Sequence, residues 1–350
     1  MSLGFQRSGA EHGVYTRSRG GRRLIVGVYV DDLIITGASG DDIVTFKQEM
    51  KMKFQMSDLG LLSYYLGIEV KQGADGIVLC QSGYAGKVLE RCGLASCNAS
   101  ATPMETRLKL SKSSPEEKVN ATEFRRIIGA LRYLLHTRPD LAFSVGYLSR
   151  FMEDPREDHL TGVKRVLRYV AGTRGYGLHY TRQEEEKPKL VGFSDADLAG
   201  DVDTRKSTSG IIYFLAGNPI TWQSSKQKVV ALSSCESEYI AASAAACQGV
   251  WLARLLADMI GGEFGAPELL VDNQSAIALS RNPVFHDRSK HIDVRYHFIR
   301  ECVDEGRIVL SYTEIEQQLA DALTKALGRV RFQKLRDMIG IQVLGDRAQD

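Results

Sequence analysis

LIVGVYVDDLIITG, from Leu24 to Gly37, reads as strand, turn, strand, with β-branched and apolar residues on both sides of Asp31 and Asp32. Two acids at the bend of an apolar strand pair admit two readings. They could hold a cation, and Mg²⁺ would suit, since it takes hard oxygen ligands and leaves room for substrate phosphates. Alternatively they occupy an exposed hairpin turn, where Asp is common. The dipeptide alone does not choose, so the rest of the chain has to weigh in.

At 350 residues and 43% hydrophobic content, the chain is long enough for two domains with real cores. A net charge of +2 gives no bulk basicity, so any nucleic-acid surface must be local. The six cysteines (Cys80, Cys92, Cys97, Cys235, Cys247, Cys302) form no CxxC pair, which predicts reduced thiols rather than disulfides or a zinc site. No apolar run reads as a membrane span, and MSLGFQRSGAEHG lacks the apolar core of a signal peptide. The expectation is an intracellular protein, cytoplasmic or nuclear, with no membrane partner.

The charged stretch Thr181–Leu190, TRQEEEKPKL, separates two apolar-patterned regions and reads as a linker over 183–189. Before it, residues 1–102 carry the hairpin and a mixed region. Residues 103–182 contain a solvated loop, Ser111–Asn120, and a mostly helical stretch from Glu123 to Val170. After it, residues 190–328 read as three strands, a long helix beginning SSCESEY, then alternating strands and helices, the last opening at EQQLADALTKAL. Residues 329–350 are expected to be a separate helix and tail. This order predicts an α/β (α+β) protein whose second half is a mixed sheet with helices packed on it.

The resemblance rests on many ordered strings. YVDDLIITG, LGLLSYYLGIEV, RRIIGALRYLLHTRPDLAFSVGYLSRFMEDP, VKRVLRYVAGTRGYGLHY, FSDADLAGD, ITWQSSKQKVVALSSCESEYIAAS, VDNQSAIAL, NPVFHDRSKHIDVRYHFIRE and QLADALTKAL follow one another from about Leu3 to beyond Leu327. Together they resemble the Pol polyproteins of copia-type long-terminal-repeat retrotransposons. The resemblance implies the end of a reverse transcriptase palm, a thumb or connection region, and a ribonuclease H-like domain. Two departures hint at drift: Leu198 stands where the family usually has an aromatic, and Ser237 where it usually has another small residue.

Cutting a phosphodiester in a duplex calls for two divalent cations about 3.5–4 Å apart, held by converging carboxylates. The resemblance implies that Asp195, Glu238, Asp272 and Asp321 are these ligands, for two ions of Mg²⁺ or Mn²⁺. Within ESEY, Glu236 and Glu238 leave a helix about 200° apart, so one helix face presents only one of them; the resemblance selects Glu238. Asp197 and Asp201 read as turn residues. His286, His291 and His297 read as helix-entry and surface residues, and SYTEIEQQLAD has no histidine where cellular ribonucleases H carry one.

The implied substrate is an RNA–DNA hybrid, with other element-encoded proteins as further partners. Asn273 and Gln274 could read 2′-hydroxyls in the minor groove or simply cap a helix. Lys226, Lys228, Arg205, Lys206 and Lys290 could meet phosphates. On the amphipathic helix HLTGVKRVLRYVAG, Lys164, Arg165 and Arg168 could grip the backbone or merely be solvated. Trp222 and Trp251 are expected in the core.

The polymerase half reads differently. Before Asp31 the only acid is Glu11, in a polar stretch without strand character, so Asp31 and Asp32 are expected to be remnant metal ligands without a partner. Two functional expectations stand side by side: a hybrid-cleaving ribonuclease on a polymerase remnant that makes no DNA by itself, or a non-catalytic relic that at most binds nucleic acid.

Overall fold

The structure is a computed structural model that describes residues 3–183, 187–281 and 294–344. It is a mixed helix and sheet protein built on three sheets. The first is antiparallel, β1 (Gln6–Arg7), β2 (Val14–Arg19), β3 (Arg22–Tyr29) and β4 (Asp32–Gly37), in that order. Helix α1 (Gly40–Lys53) covers one face, and Leu24, Val26 and Phe46 make a small core there.

The stretch expected to lack strands thus contains two. β2 was illegible because its two buried residues, Thr16 and Arg17, are polar. Arg17 is buried because Glu49 of α1 pairs with it at 2.7 Å and the rings of Phe5 and Phe46 stack on its guanidinium.

A second sheet joins β5 (Tyr64–Tyr65), β6 (Ile68–Gly73) and β7 (Gly76–Cys80) to β8 (Tyr176–Thr181), far along the chain. Between β7 and β8 come α2 (Ser82–Arg91), α3 (Ala121–Leu134), α4 (Ala142–Leu148) and α5 (Glu157–Gly172). Asn120 caps α3 by accepting from the amides of Thr122 and Glu123. Phe124, Ile127, Ile128, Leu131 and Leu134 then recur every three or four residues and bury against Val163, Val166, Leu167 and Val170 of α5.

The third sheet carries the candidate site. β9 (Leu190–Ala196), β10 (Thr208–Leu215) and β11 (Asn218–Lys226) form an antiparallel meander. After α6 (Ser234–Ile260), β12 (Glu268–Val271) adds parallel to β9. α7 (Gln274–Arg281) and α8 (Phe298–Asp304) precede β13 (Val309–Tyr312), which pairs parallel with β12. The spatial order β11-β10-β9-β12-β13 is a mixed sheet, as the succession of elements predicts.

α6 begins at Ser233, whose side chain accepts from the Glu236 amide, and ends at Gly261, whose φ of 70° is the left-handed cap that glycine tolerates. By length and composition alone this helix is apolar enough to cross a membrane, contrary to the expectation that no run qualifies. Here Ala242, Ala245 and Ala246 pack on the sheet instead, where small side chains bring helix and strands close.

Two expected boundaries do not appear as breaks. β7 pairs with β8, so the divide at residue 102 is spanned by one sheet. The helix and tail expected to stand apart, α9 (Arg329–Met338) and β14 (Ile341–Val343), return to that sheet, with Ile341 opposite Leu178 on β8. Hydrogen-bonding needs explain both: each would otherwise leave an unpaired strand edge. Leu335, Ile339 and Ile341 share one core with Ile212, Phe214 and Leu323, joining the second and third sheets. A largely buried ion network ties the turn after α4 to the third sheet, Arg150 and Lys226 meeting Asp201 at 3.2 and 3.1 Å.

Candidate active site

Strand register brings the first two acids together. Ser194 of β9 lies opposite Val271 of β12 in the parallel pair, so Asp195 and Asp272 leave neighbouring strands at one height. Glu238 projects from the second turn of α6 toward the same end. One carboxylate oxygen from each of Asp195, Glu238 and Asp272 lies within 4.8 Å of the other two, and among the described residues no other trio of His, Cys, Asp or Glu does this. Glu236 is used elsewhere, accepting from the Leu232 amide at the helix start, so the helix geometry resolves ESEY toward Glu238.

Asp321 approaches from a 3₁₀ turn, Leu319–Leu323, where a longer helix was expected. The turn can lie down on the sheet because position 210 is glycine: a Cβ there would come within 2.7 Å of Thr324 and 2.8 Å of the Ala320 carbonyl. Asp321 stands beside the trio rather than in it. Its Oδ1 is 2.6 Å from Lys325 Nζ, and its Oδ2 is 3.2 Å from Arg331 Nη2.

Asp195, Glu238 and Asp321 are 2%, 6% and 3% exposed, which leaves little water to solvate four clustered acids. Burial, and then neighbouring acids, push the Glu238 carboxyl far above the ordinary range. Burial also raises Asp195, although Lys325 opposes it, and raises Asp272, where Asp321 adds to the effect. Burial works to lower the Lys325 ammonium, but Asp195 and Asp321 outweigh it and hold it raised. Glu238 Oε1 accepts from the Ala196 amide at 3.2 Å, while its buried Oε2 has no hydrogen-bond partner. A buried carboxylate that converges with two other acids and has one oxygen without a hydrogen-bond partner is relieved either by a proton or by a cation, so these residues fit a divalent metal.

Four contributors were missed in the sequence. Thr324 Oγ1 donates to Asp195 Oδ2. Gln318, fully buried, donates to the Ser194 carbonyl and accepts from the Ala320 amide, tying the turn to β9. Lys325 and Arg331 provide the cations. Lys325 had a legible signal, lying four residues after Asp321.

The other expected residues fall in varied places. Asn273 accepts from the Ala276 amide, which makes it the cap of α7, and Gln274 is exposed beside it. Lys226 lies at the site's end of the sheet but is paired with Asp201, and Lys228 is exposed. Arg205 and Lys206 lie in the β9–β10 loop, where Asp197 and Asp201 accept backbone amides as turn residues do. Lys164 pairs with Glu157 within α5, while Arg165 pairs with Glu105 and Arg168 donates to the Asn98 carbonyl, so these two arginines pin α5 to the preceding segment. His297 meets the Tyr239 hydroxyl at 2.9 Å, whereas His286, His291 and Lys290 lie outside the described residues. Trp222 is half-buried, but Trp251 is exposed and donates to the Ala10 carbonyl, docking the first sheet on α6 instead of filling a core.

Asp31 and Asp32 are exposed in the β3–β4 turn, and Glu11 is exposed and bonded to the Gly13 amide. The turn reading fits this geometry, and no third acid, His or Cys among the described residues joins them in a metal-sized cluster.

Comparison with known proteins agrees with the sequence strings. Residues 1–106 match the family model described as reverse transcriptase (RNA-dependent DNA polymerase). The chain is 38% identical over 341 residues to the retrovirus-related Pol polyprotein from transposon RE1 of Arabidopsis thaliana, covering 97% of this chain and 23% of that protein. It is 37% identical over 224 residues to an uncharacterized mitochondrial protein of Arabidopsis thaliana, covering 64% of this chain and 92% of the relative. With a putative transposon Ty5-1 protein of Saccharomyces cerevisiae the identity is 34% over 244 residues, covering 69% of this chain and 79% of the relative. The chain therefore spans about a quarter of the long polyproteins it matches. Similarity that covers nearly the whole chain places it in a family: it belongs to the Pol polyproteins of copia-type retrotransposons.

Proposed function

We propose that the third sheet carries a ribonuclease H site that cleaves the RNA strand of RNA–DNA hybrids with divalent metal. The observation that carries this reading is the convergence of the Asp195, Glu238 and Asp272 carboxylates, with the buried Oε2 of Glu238 left without a hydrogen-bond partner. These three would hold one Mg²⁺, and Asp195 with Asp321 a second. When bound, such a pair lowers the pKa of a water and neutralises charge on the leaving oxygen.

The chain's own groups do the positioning. The Ala196 amide orients Glu238, the Thr324 hydroxyl orients Asp195, and Gln318 fixes the Asp321 turn to β9. Lys228, exposed just beyond β11 at the site's end of the sheet, would meet the substrate's phosphates.

DNA synthesis by this chain alone is not expected, because Asp31 and Asp32 are exposed at a hairpin turn and no third carboxylate among the described residues clusters with them. The test is a labelled hybrid incubated with Mg²⁺ beside an Asp272→Asn control. Cuts confined to the RNA strand and lost in the control support the reading. A folded chain that leaves the hybrid intact overturns it in favour of a non-catalytic relic, and primer extension would overturn the polymerase expectation.

A further inference from the structure

Asp321 is the one acid of the four whose two oxygens both face cationic side chains. Lys325 Nζ lies 2.6 Å from Asp321 Oδ1 and 3.6 Å from Asp195 Oδ2, so its ammonium bridges the two acids. Asp195 also belongs to the Asp195–Glu238–Asp272 trio, so the ammonium stands at the edge of that cluster. The Lys325 side chain is 45% exposed, so it can swing into solvent without unpacking a core. Arg331 is more firmly held, donating also to the Glu316 and Ile315 carbonyls.

We propose that Lys325 is a resident cation of this site: one divalent ion loads at Asp195, Glu238 and Asp272, and a second enters between Asp195 and Asp321 only by displacing the Lys325 ammonium. The proposal rests on the metal-site reading above and adds an order of loading to it. The physical reason is competition. Two positive charges a few ångströms apart in a poorly hydrated site repel strongly, and both need the same carboxylate oxygens. Lys325 is thus a positioning residue that sets how tightly the second ion binds, while Asp321 stays ordered before that ion arrives.

The experiment is a titration of the whole chain with Mn²⁺ alone, free ion being counted by electron paramagnetic resonance, for wild type, Lys325→Gln, Lys325→Arg and Asp272→Asn. The expected wild-type result is one tight site and one weaker site. Lys325→Gln should tighten the weaker site by about tenfold, an ordinary effect for removing a nearby like charge, and tighten the first, which shares Asp195, by less. Lys325→Arg should titrate like wild type, and Asp272→Asn should lose the tight site.

Two equal sites in wild type, or a Lys325→Gln titration identical to wild type, overturn the proposal while leaving the ribonuclease reading intact if the hybrid is still cut. No Mn²⁺ binding by the folded wild type overturns both. Should Lys325→Gln fail to fold, the wild-type stoichiometry together with Lys325→Arg still decides, since equal sites exclude a resident cation.

Discussion

Two pairs of acids sit at strand ends in this molecule and have opposite fates. Asp31 and Asp32 sit at the β3–β4 turn beside Tyr29 and Val30, which are 55% and 82% exposed, so water solvates both carboxylates, and among the described residues no third acid clusters with them. Asp195 and Asp272 leave adjacent parallel strands beneath a helix, and the helix contributes Glu238 from above. The first pair is conspicuous in sequence and stays exposed in the fold. The second is scattered over 78 positions of sequence, from Asp195 to Asp272, and converges with Glu238 in the fold. Burial and convergence, and not the acid dipeptide, make the candidate metal site.

A third buried acid calibrates that contrast. Asp140 is as buried as Asp195 but answers a single cation, Arg138, at 2.7 Å, with the Tyr169 hydroxyl as a further donor. Arg138→Met should therefore cost about 3–5 kcal/mol of stability by stranding Asp140, measured by urea unfolding. A loss below about 1 kcal/mol would mean that burial alone does not set these energies.

Asp195→Asn should lower Mg²⁺-dependent hybrid cleavage by about a hundredfold or more with the fold retained by circular dichroism. Cleavage at the wild-type rate would remove Asp195 from the site.

The metal-free cluster should also carry a pH signature. Burial raises Glu238 above its ordinary value of 4.5, so above that pH the folded chain binds more protons than the unfolded one. Its contribution to stability is then fully present below pH 4.5 and falls as pH rises toward neutrality. In EDTA, Glu238→Gln should flatten this decline and melt no lower than wild type near neutral pH, and Mg²⁺ should raise the melting temperature of wild type only. A decline equally steep in the variant would break the link between burial and charge here.

The smallest expected effect completes the comparison. Asp31→Asn with Asp32→Asn should change hybrid cleavage by less than about twofold and stability by less than about 0.5 kcal/mol, as surface substitutions do. A larger loss of cleavage would show that the exposed pair acts on the distant site.

Much of the second half was legible because its strands are short, apolar and separated by turn residues, and because the long helix starts with a serine cap. The first half was harder. β2 hides its buried Arg17 in a polar string, and its partner Glu49 lies 32 residues on. The return of β14 to β8 pairs residues more than 160 positions apart, which no local pattern encodes. Lys325 could have been suspected from its spacing to Asp321, but its reach to Asp195 depends on how the Leu319–Leu323 turn lies against Gly210.

By itself the sequence determined the family, the succession of strands and helices in the third sheet, and which acids are candidates, because these follow from ordered motifs and local periodicity. Only the tertiary structure decided which acids meet. Convergence depends on strand register, on α6 turning Glu238 rather than Glu236 toward the sheet, and on a glycine that lets Asp321 and Lys325 approach. Each of these is a long-range packing constraint, and a carboxylate's chemistry changes only when packing removes its water and brings other charges near.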